Sequence, residues 1–246
     1  MHRLHWMHDL SIGEFDSLVL KAYRGAGFSW GMAQEAGRAA AWLALHGLPA
    51  GKYFAQLVQQ VDGADPISLT PIIVHSHWPT DHLPLCPVVS GTVLSDHGLQ
   101  YFASAVDDRS ESGLLLGTIY SPIIILPFVS DCAQAAGVSL QVTADRCSIV
   151  VTPNGQCDIS QGSEFGSKLV ETITIRSVVN GQIEGQIEGQ AACQTQDQSG
   201  SPTVCQRVSV SVTDLEILEQ YAHRTYVPAT EESRNSGAGA GLTDND

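Results

Sequence analysis

Residues 11–49 read SIGEFDSLVLKAYRGAGFSWGMAQEAGRAAAWLALHGLP, and this stretch sets the front of the fold. Ser11-Ile-Gly-Glu14 is a capping box, in which hydroxyl and carboxylate satisfy each other's free backbone amides. Phe15, Leu18, Val19 and Ala22 then recur at helical spacing. The helix is expected to end at Gly25-Ala26-Gly27, where glycine tolerates a left-handed cap. Ser29 caps a second helix, with Met32, Ala36, Ala39, Ala40 and Leu43 inward and Gln34, Glu35 and Arg38 outward. Gly47 and Pro49 stop it. The pair reads as an antiparallel helical hairpin, and a third helix is expected from Tyr53 to Val61.

Outward from the hairpin, periodicity changes. Residues 1–10 carry His2, His5 and His8 and read as a mobile leader. Residues 66–87 form a proline-rich connector with His75, His77, Asp81 and His82, a weaker candidate for metal ligation. Residues 114–129, LLLGTIYSPIIILPFV, are expected to supply one or two buried strands broken near Pro122. Asp131 to Ala136 reads as a short helix ended by Gly137. Strands are expected at Val138–Thr143, Ser148–Thr152, Lys168–Val179 and Arg207–Val212, with a turn at Pro153-Asn154-Gly155. The duplicated GQIEGQIEGQ at Gly181 and Gly185 is too short for a repeat architecture and reads as a hairpin or bulged strand. Thr213-Asp-Leu-Glu216 reads as a second capping box opening a helix to about His223.

The fold class expected is α+β: an N-terminal helical hairpin packed on a mixed, mainly antiparallel sheet, with a late helix and a glycine-rich C-terminal tail. The domain spans 11–246, with a helical subregion at 11–62 and a sheet subregion with docked tail at 88–246. Regular strand–helix alternation is missing, and no GxGxxG opens a helix after a strand, which excludes a dinucleotide fingerprint. GxSxG, HExxH and Walker-type loops are absent as well.

The chain has 246 residues, 12 Lys+Arg and 26 Asp+Glu, for a formal net charge of −14. Such acidity repels phosphate backbones and anionic bilayers, so neither nucleic acid nor membrane is an expected partner. Charged residues are only 15% of the chain, against about 25% on average. Surface cover by small polar residues or by a second copy accounts for such a deficit, so a homo-oligomer is a candidate state. The six cysteines form no CxxC, which argues against a zinc ribbon. The start, MHRLHWMHDL, lacks an apolar signal core, so a cytoplasmic location with reduced thiols is expected.

Two segments carry candidate chemistry. The first is Arg24-Gly-Ala-Gly-Phe-Ser-Trp-Gly31 with Glu35 and Arg38. The second is the tail, RTYVPATEESRNSGAGAGLTDND at 224–246. Glycine lets backbone amides approach a ligand, amides at a helix start favour an anion, and arginine grips carboxylate or phosphate in two-pronged fashion. The candidate ligand-binding residues are Arg24, Gly25, Gly27, Ser29, Trp30, Glu35 and Arg38 from the first segment. From the tail they are Arg224, Tyr226, Ser233, Arg234, Gly237, Gly239, Asp244 and Asp246. The tail is expected to fold back onto the hairpin so that both glycine turns line one pocket. The ligand class is a small anionic metabolite, with no cofactor specified. The competing reading is a non-catalytic subunit or assembly protein.

The motifs KAYRGAGFSWGMAQEAGRAAAWL and RTYVPATEESRNSGAGAGLTDND together resemble an uncharacterised proteobacterial family, a domain of unknown function. That resemblance implies no activity, cofactor or catalytic residue. The capped hairpin leading to His46-Gly47 and a further helix is also similar to the start of the non-Rossmann malate/lactate/sulfolactate dehydrogenases. Those have a longer His-containing signature, of which only this dipeptide stands here.

Overall fold

The computed structural model describes residues 6–81, 83–102, 113–145, 147–157, 165, 169–178, 195–196, 202–203 and 207–226. Strand β1 (Met7–Ser11) runs into helix α1 (Ile12–Gly25), followed by α2 (Trp30–Leu45) and α3 (Ala50–Val61). Both halves of the predicted capping box form: Ser11 Oγ accepts from the Glu14 N–H, and Glu14 accepts from the Ser11 N–H at 2.8 Å. The Ser11 backbone N–H first, and the Ser11 hydroxyl second, hold the Glu14 carboxyl below its ordinary range. Helix α1 closes on Ala26, and Gly27 takes the left-handed φ of 103° that reverses the chain into α2.

Of the residues read as a mobile leader, Met7 to Leu10 lie in strand β1. β1 pairs antiparallel with β9 (Arg207–Ser211), Met7 opposite Ser211 and Ser11 opposite Arg207. The Arg207 guanidinium donates to the Asp9 carbonyl at 3.0 Å and ties the ladder further. β9 enters α7 (Val212–His223), whose cap is Ser211, accepting from the Asp214 N–H at 3.1 Å. The capping signal at this helix start therefore lies two residues before Thr213.

These two strand–helix units repeat each other at an offset of 200 residues, the spacing that brings Ser209 Oγ onto the Asp9 carboxylate. Ser11, Glu14, Phe15, Leu18, Ala22 and Arg24 correspond to Ser211, Asp214, Leu215, Leu218, Ala222 and Arg224. Their strands pair antiparallel about the Asp9–Ser209 step, and their helices pack on each other. The unit closest to the C-terminus thus joins the N-terminal helices and not the sheet.

The five-stranded sheet has the order β2 (His77–Trp78), β3 (Gly113–Leu116), β6 (Ile173–Val178), β4 (Ser139–Ala144), β5 (Cys147–Val151). Only the β2–β3 pair is parallel, so the sheet is mixed and mainly antiparallel. Leu114, Ile175, Val142 and Ile149 stand opposite one another across four strands and are fully buried. A short antiparallel pair, β7 (Thr195–Gln196) and β8 (Pro202–Thr203), stands apart.

Helix α4 (Pro87–His97), the single turn α5 (Leu99–Phe102) and α6 (Leu126–Ala136) bridge helices and sheet. Residues 122–136 correct the strand expected across the isoleucine run. Pro122–Ile125 is a 3-10 turn that continues into α6. Pro122 and Pro127 both lack the N–H a central strand must donate, yet each sits at a helix start, where no donor is needed. Gly137 caps α6 with φ 68°, as its sequence position predicts. Buried residues of all these layers form one continuous apolar cluster.

Candidate functional site

The predicted site residues fall into two places. Arg24 sits at the end of α1 and donates from Nη1 to the Phe28 carbonyl. Its guanidinium carbon lies 4.7 Å from the centroid of the Trp30 ring, which is 63% exposed. Ser29 caps α2, accepting from the Met32 N–H at 3.3 Å, and the first turn of α2 carries no acidic side chain. Nothing stands within 4 Å of where a Cβ would sit on Gly27 or Gly31. The start of α2 is therefore open and positively polarised beside Arg24.

The end of α7 meets this corner. A Cβ on Gly25 would overlap the Tyr221 carbonyl and lie 3.3 Å from the Arg224 Cβ, so the two helix ends cross in backbone contact at Gly25. Lys21, one turn before Arg24, places its ammonium 6.0 Å from the centroid of the Tyr226 ring. Tyr226 is 54% exposed and stacks edge-on with His223. Lys21, Arg24 and Arg224 are three of the chain's 12 basic residues. Arg224 binds Asp62 through both η nitrogens, at 2.6 and 3.2 Å, with its guanidinium 4.1 Å from the Tyr221 centroid. The Tyr221 hydroxyl donates to the same carboxylate at 3.2 Å. Neither Lys21 nor Arg24 meets a carboxylate among the described residues.

Glu35 and Arg38 lie elsewhere. Arg38 reaches Glu35 and Asp131 of α6, each at 2.9 Å, and covers the Phe128 ring at 5.0 Å. Burial raises the Asp131 carboxyl against the pull of Arg38. At about 1.5 Å rise per residue, Arg38 is roughly 12 Å along α2 from Trp30. It ties α2 to α6 and does not share the corner. Ser233, Arg234, Gly237, Gly239, Asp244 and Asp246 lie outside the described residues, as does the proposed closure of a pocket by the second glycine turn.

Lys21, Asp62 and Tyr221 join the corner without any binding motif in the sequence to mark them. The 200-residue offset between the two capped helices aligns Arg24 with Arg224 in the sequence itself.

Arg224, and secondarily Tyr221, hold Asp62 below the usual carboxylate range. A depressed carboxylate contributes stability above its unfolded value of about 3.9 and loses it as pH falls through the lower folded value. The pair is partly exposed and screened by solvent, so its contribution is small. Asp62→Asn should lower unfolding free energy slightly at pH 7, with a smaller gap at pH 2.5, below the unfolded carboxylate value. A gap of equal size at both pH values would show that the contribution is not ionic.

Other groups have structural roles. His46 stacks on Trp42 at 3.6 Å, and its ring nitrogens face the Trp42 carbonyl at 2.8 Å and the Gly155 carbonyl at 3.1 Å. It joins the end of α2 to the turn after β5. Burial pushes the Cys86 thiol up to about 11 and that of Cys132 up to about 12. Both stay protonated and unreactive near neutral pH. Among the described residues no group of three His, Cys, Asp or Glu is placed to hold a metal. His75 and His77 stand on a hairpin, and His82 lies outside the described residues. No helix among the described residues is long and apolar enough to cross a membrane.

Among solved structures, malate dehydrogenase from Entamoeba histolytica is similar at 12% identity and a TM-score of 0.43, over 89% of this chain and 62% of its own. The chain therefore spans 62% of the length of that enzyme. Malate dehydrogenase from Pyrococcus horikoshii OT3 is similar at 9% identity and a TM-score of 0.42, over 88% of this chain and 90% of its own. No curated protein matches the chain. Residues 10–77, which contain the first of the two sequence motifs but not the closing one, match the family model described as Protein of unknown function (DUF3726).

Proposed function

We propose that the protein binds a small anionic metabolite at the corner where the ends of α1 and α7 cross. The observation that carries this reading is the pair Lys21 and Arg24, cations without a carboxylate partner among the described residues, in a chain of net charge −14. A local positive site in an acidic field attracts and orients an anion at close range. The exposed Trp30 and Tyr226 rings flank it, and open glycines leave the α2 amides accessible. Trp30 and Tyr226 supply flat apolar contact with few rotors to immobilise.

A thermal-shift screen of small anions against the full chain tests this reading. Binding anions should raise the melting temperature, and the rise should vanish in a Lys21→Ala, Arg24→Ala double variant that still unfolds cooperatively. No stabilisation by any anion, or stabilisation untouched by the double variant, overturns it. The alternative, an assembly subunit, draws on Ile72, Ile73 and Val74, which are 46–48% exposed in the hairpin leading to edge strand β2. Absence of anion binding together with an oligomer dispersed by Ile73→Asp would favour that alternative.

A further inference from the structure

The internal repeat says what kind of anion the corner takes. Arg24 and Arg224 hold equivalent places in the two strand–helix units, near the ends of α1 and α7. Each guanidinium lies over an aromatic ring, Trp30 at 4.7 Å and Tyr221 at 4.1 Å. Among the described residues only one of the two is charge-compensated. Arg224 carries the Asp62 carboxylate on both η nitrogens, while Arg24 spends a single donor on the Phe28 carbonyl. Ring stacking fixes the plane of a guanidinium and leaves its edge donors for a planar, two-oxygen acceptor.

Resting on the binding reading above, we infer that the ligand's anionic group is a carboxylate, held by Arg24 as Asp62 is held by Arg224. Charge argues in the same direction. A phosphate monoester carries about −1.5 to −2 near neutral pH, and a carboxylate carries one charge. In a chain of net charge −14 the dianion meets the larger long-range repulsion. The open space over Gly31 and the exposed Trp30 face leave room for the rest of the molecule.

The test compares two probes that share a ring and differ in the anionic group, benzoate and phenyl phosphate, with benzyl alcohol as the neutral reference. Binding is read from the Trp30 indole N–H resonance of the full chain, identified by Trp30→Phe. Benzoate should shift it with an affinity at least ten-fold above that for phenyl phosphate, and benzyl alcohol should leave it in place. Arg24→Lys, which keeps the charge and loses the fork, should weaken benzoate at least ten-fold with an unchanged melting temperature. Asp62→Ala should bare the equivalent site, so that the Arg224 Nε–H resonance becomes responsive to benzoate. Phenyl phosphate binding as tightly as benzoate overturns the carboxylate assignment and leaves anion binding standing. Undiminished benzoate affinity in Arg24→Lys also overturns it. If neither anion binds, and the thermal-shift screen finds no other that does, the carboxylate and the binding readings fall together.

Discussion

Replacing Phe128 by Ala is expected to destabilise the protein by about 4 kcal/mol, the range for emptying an aromatic site in a packed core. Phe128 is fully buried in α6, with the Arg38 guanidinium on one face. Its ring also occupies the space beside Gly91 of α4, where a Cβ would fall 2.7 Å or less from ring carbons. That contact makes a double-mutant cycle decisive. Gly91→Ala alone should cost about 2 kcal/mol, because the ring is held by its other neighbours and cannot withdraw. In the Phe128→Ala background the same change should become favourable by about 0.5–1 kcal/mol, since alanine is the better helix former and the three nearest atoms, all of the Phe128 ring, are gone. Urea unfolding of the four variants reads both quantities, with midpoints shifting at constant slope. An equal cost of Gly91→Ala in both backgrounds would mean that the ring does not set the α4–α6 separation.

Gly25→Ala is the second large effect, expected at about 3 kcal/mol, the upper end of overpacking costs. The obstacle is the backbone carbonyl of Tyr221, not the end of a flexible side chain. Relief requires α7 to move as a unit, which disturbs the β1–β9 ladder and the Asp62–Arg224 pair. Helix propensity alone predicts a gain of about 1 kcal/mol for this substitution, so a loss reports the close approach directly. Gly31→Ala serves as the control. No atom lies within 4 Å of that Cβ position, and a change within about 0.5 kcal/mol is expected. Gly25→Ala should also weaken anion binding at the corner, because Lys21, Arg24 and Tyr226 hold their places through the same helix crossing. Wild-type stability in Gly25→Ala would contradict the backbone contact.

Particular elements show why some features were readable in the chain and others were not. The helices at 12–25 and 30–45 announced themselves through Ser11, Glu14, Ser29 and the glycines that end them. Capping is a local reaction between groups three residues apart, so local sequence contains it. Gly137 and the turn at Pro153–Gly155 were legible for the same reason. The run Ile123–Val129 was misread because apolar residues buried on every side have no period. There the prolines, and not β-branching, decided for helix. Strand β1 was missed because a single edge strand has no meaning until its partner is known, and Arg207–Ser211 lies at the other end of the chain.

The candidate site divides along the same line. Arg24, Gly25, Trp30, Arg224 and Tyr226 were singled out from residue type and glycine context, and the structure places them at one crossing of helix ends. Arg38 and Glu35 were singled out by the same reasoning, yet they belong to the α2–α6 contact, because helix phase turns them to another neighbour. Which arginine is neutralised was beyond the sequence. Asp62 is distant from Arg224 in the chain and meets it only because α3 and α7 end side by side. Local sequence and composition suffice for the capped helices, the absence of nucleotide-binding motifs and the acidic charge that makes a cationic corner stand out. The tertiary structure decided that the last helix joins the first, that Asp62 takes Arg224, and that Lys21 and Arg24 meet no carboxylate among the described residues. Capping and composition act over a few residues or over the whole chain, whereas charge pairing depends on which distant side chains packing brings within about 4 Å.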